Sequence, residues 1–331
     1  MNDKLELSPA QMRELGYRVV DLIVDHFSRL PEKPVGRKGD PAVLRPAFLK
    51  PPPDQAVPAD EILACMERDV LSNIMNVCHP RFFAFVPSPS NFVSVMGDAL
   101  AAGFNVFNGS WLGGSGPAAM ELAVIAWFRG WCGFPEGAGG LFVSGGSMAN
   151  LTALVAARHT QLNDHVEGAV IYYSDQTHSS IDRALRVIGF SSEQIRRIPS
   201  DREFRLPMSA IAKAIREDRN AGLRPFAVIA NAGTTNTGAI DPLREVATLC
   251  RAESLWMHVD GAYGAAAVIS ERGRKLLEGI ELADSLSFDP HKWLFQTIEC
   301  GCVLLRDAAK LKATYRIMPE YLADVTATRR R

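Results

Sequence analysis

The chain has 331 residues, with 36 Lys+Arg against 37 Asp+Glu and a formal net charge of −1 at pH 7. That length holds one large domain or two smaller ones with a substantial core. The near balance of charge argues against nucleic acid or an anionic membrane as the main partner, and no apolar run reaches the length of a membrane span.

The first residues, Met1 to Glu6, carry no secretory hydrophobic segment, so the sequence reads as cytosolic. Residues 8–30 read as one amphipathic helix. Ser8 is its N-cap, Pro9 its first helical residue, and Gln11 completes a capping box. Met12, Leu15, Val19, Leu22, Ile23 and Phe27 form a helical stripe that must bury itself against the body of the protein or a partner subunit. Residues 31–60 hold eight of the 20 prolines and read as an extended arm. A second helix is expected from Pro58 to about Asn76. Residues 1–80 thus form a helical, proline-rich arm ahead of a large domain over 81–313. The six cysteines match no zinc spacing and read as reduced, mostly buried thiols.

From residue 141 short apolar runs alternate with helical stretches. The runs are 141–143, 169–173, 226–230, 255–259 and 301–305, and a further strand must end before Pro290, which cannot donate a ladder hydrogen bond. Helices are expected near 148–158, 180–189, 207–218, 241–253 and 271–282. Strands apolar on both faces and separated by helices predict an α/β fold, a mostly parallel sheet covered on both sides.

Ligands bind beyond the carboxyl ends of such strands, and there the polar residues gather. Gly145-Gly146-Ser147 opens a helix, either as an anion cradle or as an ordinary glycine turn. His178 follows the next strand, as a ring able to stack on a flat ligand or as a structural histidine. Thr235 lies in the loop Gly233-Thr234-Thr235. Asp260 ends an apolar strand, where a carboxylate is costly unless paired. Lys292 stands at a strand edge beside His291 and Trp293, where a partly dry amine can act as a nucleophile toward a carbonyl. A phosphate cradle, an aspartate for a cationic ring nitrogen, a stackable ring and an amine together fit pyridoxal 5'-phosphate. The Gly-x-Gly-x-x-Gly expected of a dehydrogenase is missing.

These stretches, with Arg81-Phe82-Phe83-Ala84-Phe85, Ser174 to Ser180, His258 to Tyr263 and Asp289 to Trp293, run in an order that resembles the group II pyridoxal-phosphate decarboxylases, typified by aromatic-L-amino-acid decarboxylase. The resemblance implies a fold type I large domain with a seven-stranded type of sheet. It makes Lys292 the Schiff-base lysine, Asp260 the partner of the ring nitrogen and His178 the residue stacked on the ring. Gly146, Ser147 and His291 resemble phosphate contacts, and Thr235 and Ala262 flank the ring. Tyr321 matches the tyrosine of a mobile loop that protonates the substrate carbon after CO₂ leaves. Residues 82–88, with Phe85 and Ser88, resemble a substrate-pocket strand, and their apolar character favours an aromatic side chain over an acidic one.

The resemblance also implies a homodimer acting on a small amino acid. Family members continue well beyond the mobile loop into a C-terminal small domain, whereas residues 314–331 of this chain take in only the start of that loop. Asp289 stands where some relatives carry asparagine near the phosphate and is not assigned as a ligand, because a carboxylate repels one. The expected activity is decarboxylation of an L-amino acid, most readily an aromatic one. The alternatives are an aldehyde synthase, against which Tyr321 speaks, a diaminobutyrate- or glutamate-type decarboxylase, and an inactive cofactor-binding or dimerisation partner.

Overall fold

The structure is a computed structural model that describes residues 6–316. It divides into two compact units, with the boundary between Pro87 and Ser88.

The first unit begins with helix α1 (Pro9–Ser28), and the predicted capping box is present: Gln11 N–H donates to Ser8 Oγ at 3.3 Å, and Ser8 N–H donates to Gln11 Oε1 at 2.9 Å. None of its residues is buried. The proline-rich stretch departs from the extended arm expected. It contains helix α2 (Pro41–Phe48), capped by Asp40, whose carboxylate accepts from Ala42 N–H at 2.8 Å. Pro41 sits at the first helical position, where its missing N–H costs nothing, and composition alone hides that. Helix α3 (Ala59–Cys65) is shorter than the sequence predicts, because the chain tightens into a π turn over Met66–Val70 and a 3₁₀ turn over Leu71–Asn73. The arm is pinned by Asn76, which donates from its backbone to Val35 O at 2.8 Å and from its side chain to Pro34 O at 2.7 Å. Residues 81–87 are turns and bends and not a strand. Phe85 there adopts φ 59°, a left-handed conformation that a strand excludes.

The second unit opens with helices α4 (Phe92–Phe104) and α5 (Trp111–Trp131), the latter kinked where Gly114 leaves helical geometry. The sequence reading offered no element over this span. Seven strands follow: β1 (Gly139–Val143), β2 (Ala169–Ser174), β3 (Ile195–Ile198), β4 (Arg224–Asn231), β5 (Trp256–Asp260), β6 (Ser285–Phe288) and β7 (Gly301–Leu305). They form one sheet in the order β1-β7-β6-β5-β4-β2-β3. The run from β3 to β6 is parallel, while β7 is antiparallel to both β6 and β1. The sheet is therefore mostly parallel, as the alternating apolar runs predict. Edge strand β3, with Arg196 and Arg197 in its middle, lacks the apolar signature that marks the others.

Helices α6 (Gly146–Leu162), α7 (Ser180–Val187), α8 (Met208–Asn220), α9 (Leu243–Ala252), α10 (Glu271–Leu276), α11 (Pro290–Trp293) and α12 (Ala308–Tyr315) complete the unit. Strand side chains alternate between the two faces, and each face buries its own core. Tyr172, Val228, Met257, Val259, Leu286 and Phe288 join one cluster with Phe128 and Val246. Tyr173, Ile229, Trp256 and Val303 join the other with Ala153 and Leu154 of α6. No helix of the described residues is long and apolar enough to cross a membrane.

Candidate active site

A cleft of about 320 Å³ lies at the carboxyl ends of the parallel strands, lined by Gly146, Ser147, His178, Thr235, Asp260, Ala262, His291 and Lys292 among others. Eight residues singled out in the sequence thus meet in one place, although they span nearly 150 positions. Each is delivered by the end of a strand or the start of the helix after it.

Gly146 and Ser147 open α6, a helix whose N-terminus no side chain caps. Its first N–H groups and the positive end of the helix dipole suit an anion. Gly146 is sterically required, since a Cβ there would lie 2.7 Å from Asp289 Oδ2 and 2.9 Å from Ala262 Cβ. His291 supplies a further donor. Its Nδ1 accepts from Cys300 N–H at 2.9 Å, which leaves the proton of the neutral ring on Nε2.

Asp260 is 8% exposed. Its Oδ1 accepts from Ser287 Oγ at 3.1 Å and Ala262 N–H at 3.2 Å, and its Oδ2 from Asn150 Nδ2 at 3.0 Å. Three donors converge on its two oxygens, and a carboxylate so placed can pair with a protonated ring nitrogen. His178 lies in the turn after β2, with Nδ1 2.9 Å from Ser180 Oγ. Burial lowers its pKa below the usual histidine value; nearby Lys292 lowers it further, and Asp260 opposes both. The ring is held neutral near pH 7.

Lys292 sits in α11, where Pro290 ends β6 and starts the helix. Its Nζ lies 3.1 Å from Asp289 Oδ2. The other oxygen, Asp289 Oδ1, is buried and has no hydrogen-bond partner among the described residues. Neighbouring Trp293 packs edge-on against Tyr263, ring centroids 4.9 Å apart. Cys300 is not a competing nucleophile, because burial pushes its thiol up to about 11. Among the described residues no cluster of His, Cys, Asp and Glu is arranged to hold a metal ion.

Phe85 belongs to the first unit and is 80% exposed, and Ser88, the first residue of the second, is not among the residues lining the cleft. The strand expected over this stretch does not form. Tyr321 lies outside the described residues. Asn150, Asn231 and Thr234 also line the cleft and were not singled out. Asn150 had a signal: it is polar, in the first turn of a helix whose surroundings are apolar, and buried asparagines need partners.

The donor set fits pyridoxal phosphate. The uncapped helix start, the Ser147 hydroxyl and His291 suit a phosphate, buried Asp260 suits a cationic ring nitrogen, and the Lys292 amine suits an aldehyde. Asp289 opposes the phosphate charge, and the Lys292 amine 3.1 Å away offsets it.

A mixed seven-stranded sheet with this constellation at its strand ends defines a pyridoxal-phosphate protein of fold type I. The family profile described as "Pyridoxal-dependent decarboxylase conserved domain" matches residues 41–329. The chain belongs to that family, and pyridoxal phosphate is the cofactor. It is 52% identical over 324 residues to an aromatic-L-amino-acid decarboxylase of Bacillus atrophaeus, covering 98% of this chain and 68% of that protein. It is 33% identical to a phenylacetaldehyde synthase of Petunia hybrida, covering 96% of this chain and 65% of that one. The crystal structure of Oryza sativa TDC with PLP and tryptamine superposes with a TM-score of 0.90 at 32% identity, covering 96% of this chain and 68% of the other. The chain spans about two thirds of the length of these relatives.

Proposed function

We propose that the protein removes the carboxyl group of an aromatic L-amino acid, giving the amine and CO₂. The observation that carries this reading is the meeting of Lys292, Asp260, His178 and the α6 N-terminus in one cleft. The aromatic preference is supported by the 52% identity to the Bacillus enzyme.

Lys292 Nζ would hold the cofactor through its aldehyde carbon and yield it to the substrate amine. Gly146, Ser147 and His291 would hold the phosphate, His178, Thr235 and Ala262 would flank the ring, and Asp260 would pair with the ring nitrogen. When bound, the cofactor would supply an electron sink for the pair released as the bond between the α-carbon and the carboxyl carbon breaks. Tyr321 would deliver a proton to the α-carbon in place of the departed CO₂, and Lys292 would reclaim the cofactor as the amine leaves.

Borohydride reduction of the loaded protein followed by peptide mapping tests the assignment. The pyridoxyl group is expected on Lys292, and a label on another lysine overturns it. CO₂ release from substrate distinguishes this reading from a chain that only binds the cofactor. An aldehyde-forming reading is favoured by the Petunia relative and is separated by assaying amine against aldehyde.

We further propose a homodimer. α4 and α5 expose Val93, Leu100, Phe104, Leu112, Met120, Leu122 and Trp127, more apolar surface than a monomer ordinarily shows water. A cytosolic location agrees with the six free thiols.

A further inference from the structure

We propose that Asn150 and Ser180 are positioning residues that hold the single imidazole proton of His178 on Nε2, with Asn150 orienting Asp260 through the same amide. The argument rests on a chain of hydrogen bonds whose two ends allow only one direction. It deepens the reading of His178 and Asp260 as cofactor contacts.

Trp256, His258 and Asp260 alternate along β5 and so face the same side, toward α6. At one end, Trp256 Nε1–H, which can only donate, reaches Ser285 Oγ at 2.8 Å. At the other, the Asp260 carboxylate can only accept. Asn150 must therefore turn its Nδ2 toward Asp260 Oδ2, at 3.0 Å, because the opposite orientation sets two oxygens face to face. Its Oδ1 then faces His258 Nε2 at 2.9 Å and needs a proton there. Burial drives the pKa of His258 down to about 4, keeping the ring neutral. Its Nδ1 is accordingly bare and accepts from Ser285 Oγ at 2.8 Å. The two ends agree.

The second hydrogen of Asn150 Nδ2 goes to Ser180 Oγ at 3.0 Å. Accepting from Asn150 leaves Ser180 its own hydrogen to give, and His178 Nδ1 lies 2.9 Å away to take it. The Ser180 backbone N–H points at the same nitrogen from 3.3 Å. Two donors converge on Nδ1, so the ring proton resides on Nε2, the nitrogen Ser180 does not engage. One buried amide thus links the proton location on the ring proposed to cover the cofactor with the orientation of the group proposed to pair beneath it. A flat neutral ring with one N–H can stack without adding positive charge above a cationic ring.

The test is nitrogen NMR on protein labelled at histidine, in the cofactor-free state, with His178→Gln identifying the signal. His178 is expected as the Nε2–H form. Ser180→Ala and Asn150→Ala are expected to introduce an Nδ1–H population, and Ser180→Thr, which keeps the hydroxyl, to restore the parent signal. Cofactor titration, read by absorbance, is expected to show about tenfold weaker binding in the two alanine variants and little change in Ser180→Thr, in keeping with the loss of a hydrogen bond to a charged group. An Nδ1–H signal in the parent protein overturns the proposal, and so does an unchanged tautomer in Ser180→Ala, the variant least able to disturb folding. Failure of the parent protein to bind cofactor would instead sink the decarboxylase reading, leaving the tautomer result to stand by itself.

Discussion

Lys292 and Asp289 face each other across 3.1 Å, with the second carboxylate oxygen buried and unpartnered. A carboxylate in a phosphate site acts against the ligand through Coulomb repulsion that a dry environment amplifies. Asp289→Asn removes that charge and gives the orphaned position a donor or acceptor as needed. Its cofactor dissociation constant is expected to fall about tenfold at neutral pH, in line with the size of charge interactions at partly buried sites; a rise would show that the ion pair with Lys292 outweighs the repulsion. His258 carries a second expectation. Its folded pKa, about 4, lies below the ordinary value of 6.5, so between those values the unfolded chain binds more protons than the folded one. Stability is therefore full above pH 6.5 and falls as the pH drops toward 4, by roughly 3 kcal/mol for this one group. Urea unfolding of the parent and of His258→Gln at pH 7 and pH 5 checks this: the parent should lose more on acidification than the variant.

Strand ends and helix starts do most of the positioning. The sequence made them legible wherever an apolar run stopped abruptly at polar residues, as at Val143-Ser144-Gly145 and Val259-Asp260, because a strand buried on both faces has no other polar outlet. It was mute where that contrast fades. β3 carries arginines on an exposed edge, α5 is threaded by Gly113, Gly114 and Pro117, and the 81–88 segment is apolar without being a strand, with Phe83 and Phe85 exposed. The strand expected there does not form for that reason: hydrophobicity marks a strand only when something covers it. Asn150 showed only as a polar residue in an apolar helix, because its partners His258 and Asp260 lie more than a hundred positions away. At this scale the tight start of α6 makes a prediction. Gly146→Ala places a methyl 2.7 Å from Asp289 Oδ2, and overpacking of this kind costs about 1–3 kcal/mol. The cost should appear as weaker cofactor binding, measured by equilibrium titration, with the far-ultraviolet circular dichroism spectrum unchanged.

For the molecule as a whole, the exposed apolar faces of α4 and α5 predict a dimer by light scattering, and a monomer with full turnover would remove that proposal. Substrate class is settled by comparing kcat/KM for tyrosine, tryptophan, dihydroxyphenylalanine, phenylalanine, glutamate and 2,4-diaminobutyrate. Aromatic substrates are expected to lead, and a preference of about tenfold, some 1.4 kcal/mol, for either of the last two would overturn the aromatic reading. Tyr321→Phe should lower amine formation by about 10²- to 10⁴-fold if the hydroxyl delivers the proton. The sheet order carries a consequence for biosynthesis. β1 has β7 as its sole neighbour in the sheet, pairing Gly139 with Leu305 and Val143 with Gly301. On the ribosome β1 therefore emerges early and waits, edge-exposed, for a strand made much later. Until β7 slots in between β1 and β6, nothing in the sheet anchors the strand that leads into α6. The phosphate cradle is thus completed only once β7 has been made, and ribosome-stalled chains ending before Gly301 should fail to capture cofactor, while chains extending past Tyr315 with room to clear the exit tunnel should capture it.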